Sequence, residues 1–370
     1  MSAAIDPFFL DTLVKVLFVI YFALLIVIVG KNVLRFKRNA GKWTDENVHS
    51  GIAMMLAFAC IALFLVVKID FTNLPETRPW FIIVPITLIV VPPGLLFASI
   101  ITTAIQKKRG IPKVRRFGTE VALMEGVSEK TLQQLNFSRK IFHGIIFAAI
   151  VTVIFIVAPY ATDYGYQHFW GNWTGMGLLT WWTNNPPFSV AQGIIIVIFY
   201  GFAWGTMATE NTRISDTYQF PFLKSIQTKL RAKEMDTYAS YVYFFVGFLF
   251  AALFLPPTLL LGTFALFTFG DTMASSVGIR YGKHKIPINA PKSWEGVFGG
   301  FVASFLAGIL FVGFVWSLAG ALLFVLIDVF TPKPFRVSDN ILIPLAVPFL
   351  YWGLAVLGIP ATCYFLPLLT

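Results

Sequence analysis

The chain has 370 residues, of which 57% are hydrophobic and only 12% charged, with 39 phenylalanines and a mean hydropathy of +0.76. A soluble domain carries about 25% charge, so this composition excludes a disordered chain, a fibrous protein and an ordinary cytosolic enzyme. It leaves a polytopic membrane protein, in which the net charge of +10 must be placed relative to a bilayer before it can be interpreted.

Crossing about 30 Å of hydrocarbon takes roughly 20 mostly apolar residues. In chain order such runs are Phe8 to Gly30, Gly51 to Ile69, Trp80 to Ile105, Ile141 to Tyr160, Val190 to Met207, Tyr238 to Leu255 and Thr258 to Ser276. Val297 to Phe330 is 34 residues long, about 51 Å as one helix, and is expected to form a hairpin turning near Ser317 to Gly320. Ile341 to Thr370 reads as the last span. The expected fold is all-α, a polytopic membrane bundle of about ten transmembrane helices. The first run carries Asp6, Asp11 and Lys15 and is followed by no small-residue cleavage site, so it reads as a retained span. Cys60 and Cys363 lie in apolar runs without ligand spacing and read as small buried residues.

Alternation of ten spans puts Lys31 to Ser50, Gln106 to Lys140, Ala208 to Thr237, Val277 to Gly296 and Thr331 to Asn340 on one side. That side holds 25 of the 28 Lys and Arg, with only Lys15, Lys68 and Arg78 elsewhere. The positive-inside rule makes it cytoplasmic, with both termini outside. A single span over Val297 to Phe330 would throw Lys333 and Arg336 to the other side, so charge also favours the hairpin. The surplus is a topology signal and implies no nucleic-acid partner. The external loop Ala161 to Pro187 has Trp170, Trp173, Trp181 and Trp182 but no Lys or Arg, as expected of interfacial anchoring or of a lid. Within it, Asn172-Trp173-Thr174 fits a glycosylation acceptor.

The longest cytoplasmic loop, Gln106 to Lys140, has 35 residues, too few for an independent catalytic domain. Chemistry therefore belongs at the membrane. The sequence lacks G-x-x-x-x-G-K-[ST], H-E-x-x-H, G-x-S-x-G and any paired-Cys pattern, and its histidines give no zinc spacing. Ionisable residues within or at the ends of apolar helices remain, where the cost of a charge makes function the first hypothesis. Asp271 is fourteen residues beyond Pro257, about 20 Å along a helix. It shares a face with Ser275, beside the small-residue stripe Gly270, Ala274 and Gly278, which admits a neighbouring helix or a ligand.

The loop that follows mixes Arg280, Lys283, Lys285 and Lys292 with Gly278, Gly282, Ser293, Glu295 and Gly296. Glycine N–H groups can converge on phosphate and Lys can neutralise it; the alternative is an ordinary basic loop on anionic head groups. Asp271 immediately upstream favours phosphate. Arg139, Lys140 and His143 open the fourth span, Glu210 and Arg213 end the fifth, Asp328 closes the ninth, and Ser338, Asp339 and Asn340 open the tenth. Taken singly, these fit snorkelling, a helical ion pair and an N-cap. Taken together they put carboxylates and cations on one shelf, as a magnesium nucleotide and a lipid head group require.

At these residues the chain resembles the polyprenol kinase family, which includes dolichol, phytol and CTP-dependent diacylglycerol kinases. The likeness rests on Ser138-Arg139-Lys140-Ile141-Phe142-His143, on Gly270-Asp271 through Lys292-Ser293-Trp294-Glu295-Gly296, and on Asp339-Asn340 to Pro344. The middle segment is also similar to CDP-diacylglycerol synthases; the two flanking segments favour the kinases. The likeness implies a catalytic membrane region over residues 134–345, leaving 1–133, with three spans of unassigned role, and 346–370, the rest of the last span. It implies transfer of the γ-phosphoryl group of CTP, or another nucleoside triphosphate, to the hydroxyl of an isoprenoid or similar lipid alcohol on the cytoplasmic side. Asp271, Glu210 and Asp339 would be catalytic, and Asp271 and Glu210 would hold magnesium. Arg139, Lys140, Gly278, Gly282, Lys283, Lys292, Ser293 and Gly296 would hold phosphates, with His143, Arg213, Glu295 and Asn340 in support. A cytidylyltransferase and a non-enzymatic transporter are the competing readings.

Overall fold

The structure is a computed structural model that describes residues 7–38, 44–68, 79–110, 129–158, 186–214, 234 and 237–362. It is almost entirely helical. In chain order the helices are α1 (Pro7–Arg38), α2 (Thr44–Lys68), α3 (Pro79–Lys108), α4 (Glu129–Thr152, continued by a π-turn at Val153–Val157), α5 (Pro186–Ile214), α6 (Ser240–Phe254), α7 (Pro257–Tyr281), α8 (Trp294–Val312), α9 (Phe314–Phe330) and α10 (Asp339–Val356). Two short antiparallel strands, β1 (Lys285–Ile286) and β2 (Asn289–Ser293), form a hairpin between α7 and α8.

The helix apolar on every side takes the centre. α6 buries twelve of its fifteen residues, with α2, α5 and α10 packed around it. Its phenylalanines join those of α5 and α7 in a continuous aromatic core: Phe248 and Phe264 lie 3.8 Å apart between ring centroids, and Phe244 and Phe267 5.8 Å. The outer helices are also apolar on the outside; Leu56, Leu63, Ile145, Phe298 and Leu306 are all exposed. An apolar exterior of this extent is what a bilayer covers. Among the described residues six helices, α1, α2, α4, α5, α8 and α10, are long and apolar enough to cross a membrane, and α6 and α9 are apolar but shorter.

Four expectations shift. The hairpin in Val297 to Phe330 turns at Gly313, not near Ser317 to Gly320, because Gly313 adopts φ +82°, a conformation that L side chains avoid. Ser317 instead lies inside α9 and donates to the Phe305 carbonyl at 2.6 Å across the hairpin. α7 runs beyond Ser276 to Tyr281, so much of the expected loop is helix or strand. α10 ends at Val356, and Cys60 is exposed, since apolar surroundings in this chain include the outer face of the bundle. The loop residues 161–185, with their tryptophans and Asn172, lie outside the described residues, as does Cys363.

Candidate functional site

α7 stays buried from Leu259 to Thr268 and becomes partly accessible at Asp271, where its apolar run ends. Lys140 of α4 reaches this carboxylate and pairs with Oδ2, and His143, one turn further along α4, brings Nδ1 to 3.8 Å from the same oxygen. The His143 ring lies flat on Phe244, 4.9 Å between centroids and 6° between planes, and against Phe267 at 5.4 Å. Packing thus fixes α4 against α7 at the depth of Asp271.

Lys292 arrives from β2. Asn289, on the same strand, donates its side-chain N–H groups to the carbonyls of Val329 (3.0 Å) and Thr331 (2.6 Å), which pins the β-hairpin to the end of α9. Lys292 Nζ then lies 2.6 Å from Asp328 Oδ1, 2.5 Å from the Asp328 carbonyl and 3.9 Å from Asp339 Oδ2. Burial works to lower the pKa of this ammonium, but the charges of Asp328 and Asp339 outweigh it and hold the group above the ordinary lysine value. Asp339 Oδ1 accepts from the backbone and side-chain N–H groups of Asn340, at 2.9 and 3.1 Å.

The glycines expected to cradle phosphate have another task. A Cβ on Gly296 would stand 2.7 Å from the Ala274 carbonyl, and one on Gly282 would collide with Ser293 Oγ. They permit α7 and α8 to touch backbone to backbone. Ser293 Oγ accepts from the Gly296 N–H at 3.3 Å and caps α8. Glu295 accepts from the His284 backbone N–H at 3.1 Å and lies 2.6 Å from its Nδ1, bracing the hairpin. Lys283 is exposed.

Glu210 is fully buried, and its two oxygens accept from the Ala239 N–H (2.9 Å) and the Tyr241 hydroxyl (2.5 Å). It satisfies the start of α6, whose first N–H groups have no partner inside the helix. Both oxygens of Glu210, expected to share magnesium with Asp271, are thus engaged at the start of α6. Arg139 and Arg213 belong to α4 and α5, and their side chains lie outside the described residues.

A cavity of about 800 Å³ gathers the rest. Asp271, Lys292, Asp339, Asn340 and the Gly278, Gly282, Ser293 and Gly296 seam all line it; Glu210, Lys283 and Glu295 do not. It also contains Asp328, Lys285 and Glu234, the last read from the sequence as one of the acids on the cytoplasmic shelf, and two groups that sequence reasoning left unassigned, Glu46 and Tyr243. Glu46 carried a signal: it is an acid directly before an apolar run on the cation-rich side. Tyr243 carried none, because a tyrosine within an apolar helix reads as core. Among the described residues no three His, Cys, Asp or Glu side chains group closely enough to hold a metal alone. Magnesium asks less, commonly one or two carboxylates with phosphates and water completing its shell. Asp328 and Asp339, flanking Lys292, fit that demand.

Fold and site together define a helical bundle, suited to a membrane, with a charged cavity where the ends of six of the described helices meet. No protein-family model, curated protein or solved structure matches the chain.

Proposed function

We propose that the chain is a membrane-embedded lipid kinase in which all ten helices span the bilayer, with the cavity on the cytoplasmic side. One observation carries the reading. Segments far apart in sequence, those that resemble the polyprenol kinases, come together at one charged end of an otherwise apolar bundle: Lys140 on Asp271, 131 residues away, and Lys292 beside Asp339. The substrates are a nucleoside triphosphate, CTP by resemblance, and a lipid alcohol of the polyprenol, dolichol or phytol type.

In this scheme the lipid hydroxyl attacks the γ-phosphorus in line, the bond from that phosphorus to the β–γ bridging oxygen breaks, and the nucleoside diphosphate leaves with the electron pair, while the protein positions the reactants and offsets charge. Asp271 accepts the hydroxyl proton, and Lys140, paired with its Oδ2, holds the carboxylate in place. Lys292, held charged by Asp328 and Asp339, faces the phosphates. Asp328 and Asp339 would hold magnesium, which would neutralise phosphate charge.

The test offers purified protein in detergent polyprenol, phytol, diacylglycerol or phosphatidic acid, with CTP labelled at the γ or the α phosphate. Label from the γ position in a lipid alcohol is the expected result. Label from the α position in phosphatidic acid would establish a cytidylyltransferase instead, and transfer from neither would overturn both in favour of a transporter.

A further inference from the structure

The cavity has a second end, built from α2 and the start of α6. Glu46 is 8% exposed and Glu234 3% exposed, and Glu234 Oε1 accepts from the Ser240 N–H at 3.0 Å. Tyr243 lines the cavity between them on the first turn of α6, 3% exposed, with its ring edge-on to Tyr238 at 6.3 Å. Its hydroxyl has no hydrogen-bond partner among the described residues, and Glu46 and Glu234 line the same cavity. A buried phenol hydroxyl without a protein partner is costly, and a ligand in the cavity that Tyr243 lines would supply one.

The chemistry of that ligand follows from the acceptors. Ionised carboxylates only accept hydrogen bonds, so this end suits a group rich in O–H or N–H donors and disfavours phosphate. At the other end Lys292, with magnesium that Asp328 and Asp339 would hold under the proposed function, would supply the positive charge that phosphate needs. A nucleotide has this polarity, with donors on its sugar and base and negative charge on its phosphates. α2 is also tied directly to the Lys292 end, because Ser50 Oγ accepts from the Ser338 N–H at 2.8 Å and Asp45 pairs with Arg336 at 2.5 Å.

We infer that Glu46, Glu234 and Tyr243 form a nucleoside pocket that reads the hydroxyls of the ribose or the exocyclic amine of the base, so that the N-terminal helices supply part of the nucleotide site. The inference rests on the nucleotide reading above, and its test separates the two. Binding of CTP, 2′-deoxy-CTP, UTP and inorganic triphosphate to the full chain in detergent is measured by titration calorimetry. CTP is expected to bind about tenfold or more tighter than the analogue lacking the group that is read, as loss of a hydrogen bond to a charged partner implies. A drop with 2′-deoxy-CTP assigns the hydroxyl, and a drop with UTP the amine.

Glu46→Gln and Tyr243→Phe should each shrink that preference to about twofold and leave triphosphate binding unchanged. Should Glu46→Gln fail to fold, Tyr243→Phe, which removes a single oxygen, decides. Equal binding of all four ligands, or variants that keep the full preference, would overturn the pocket. Preference without phosphoryl transfer would sink the kinase and leave the pocket; transfer without preference would do the reverse. No binding of any ligand would remove both.

Discussion

The α7 and α8 pair has two sides of opposite chemistry. On one side an outward groove of about 860 Å³ is lined by Met273, Val277, Phe298, Val302 and Leu306; on the other lies the 800 Å³ charged cavity with Asp271 and Lys292. The wall between them is two helices thick only in name, because Gly270, Ala274 and Gly278 meet Gly296, Gly300 and Ser304 almost backbone to backbone. Small residues at a helix contact serve close packing in lipid, where no hydrophobic force drives helices together. Here they also bring an apolar surface and a charged one within one helix diameter, which suits chemistry on a lipid that must present an apolar tail and a polar head together.

The largest effect is expected from breaking that wall. Gly296→Leu would force a side chain to within 2.7 Å of a carbonyl and 3.0 Å of the Gly278 Cα, contacts with backbone that rotamer changes do not relieve. The cost should exceed the about 1–3 kcal/mol of ordinary overpacking, and size-exclusion chromatography should show loss of monodisperse protein. Phe298→Ala, on the outward side and 69% exposed, should change stability by no more than about 0.5 kcal/mol. Equal tolerance at both positions would contradict the packing described.

On the charged side, Lys292→Met strands Asp328 without its counter-ion and should cost about 3–5 kcal/mol, read by thermal unfolding in detergent. The pH dependence has a definite sign. Lys292 is held above its unfolded value of 10.5, so its stabilisation is complete below that value and is lost only as pH rises through the higher folded value. The gap between wild type and variant should thus shrink as pH rises above about 10. Asp271→Asn keeps shape but loses the base, and should lower turnover at least about 100-fold with nucleotide affinity retained. Near-normal turnover in folded Asp271→Asn would remove Asp271 from the mechanism.

The helices were legible because a bilayer enforces a length and a composition on each span, and the small stripe around Ala274 announced a close neighbour. Lys140, Asp271, Lys292 and Asp339 were legible as charges where charges are expensive. Glu210 has a structural role that the sequence did not show: a carboxylate at a helix end can be read there, but not that the N–H groups of a nearby helix start engage it. The glycines misled in the same way, since close backbone approach is needed both for phosphate and for a helix seam. Glu46 escaped because α2 lies outside the resemblance, and only folding brings Ser50 against Ser338.

Ser293, with a small expected effect, separates those two uses of one loop. Its hydroxyl is 3% exposed, lines the cavity and accepts from Gly296 N–H at the start of α8. As a cap alone it contributes about 1 kcal/mol, so Ser293→Ala should lower the melting temperature by about 1–3 °C in a chain of this size. The KM for nucleotide should stay within about twofold, because a lost cap acts on stability and not on a particular ligand. A rise in KM well beyond that, with the small change in melting temperature, would give the hydroxyl to phosphate instead and restore the phosphate-binding role that the glycines beside it have yielded to packing.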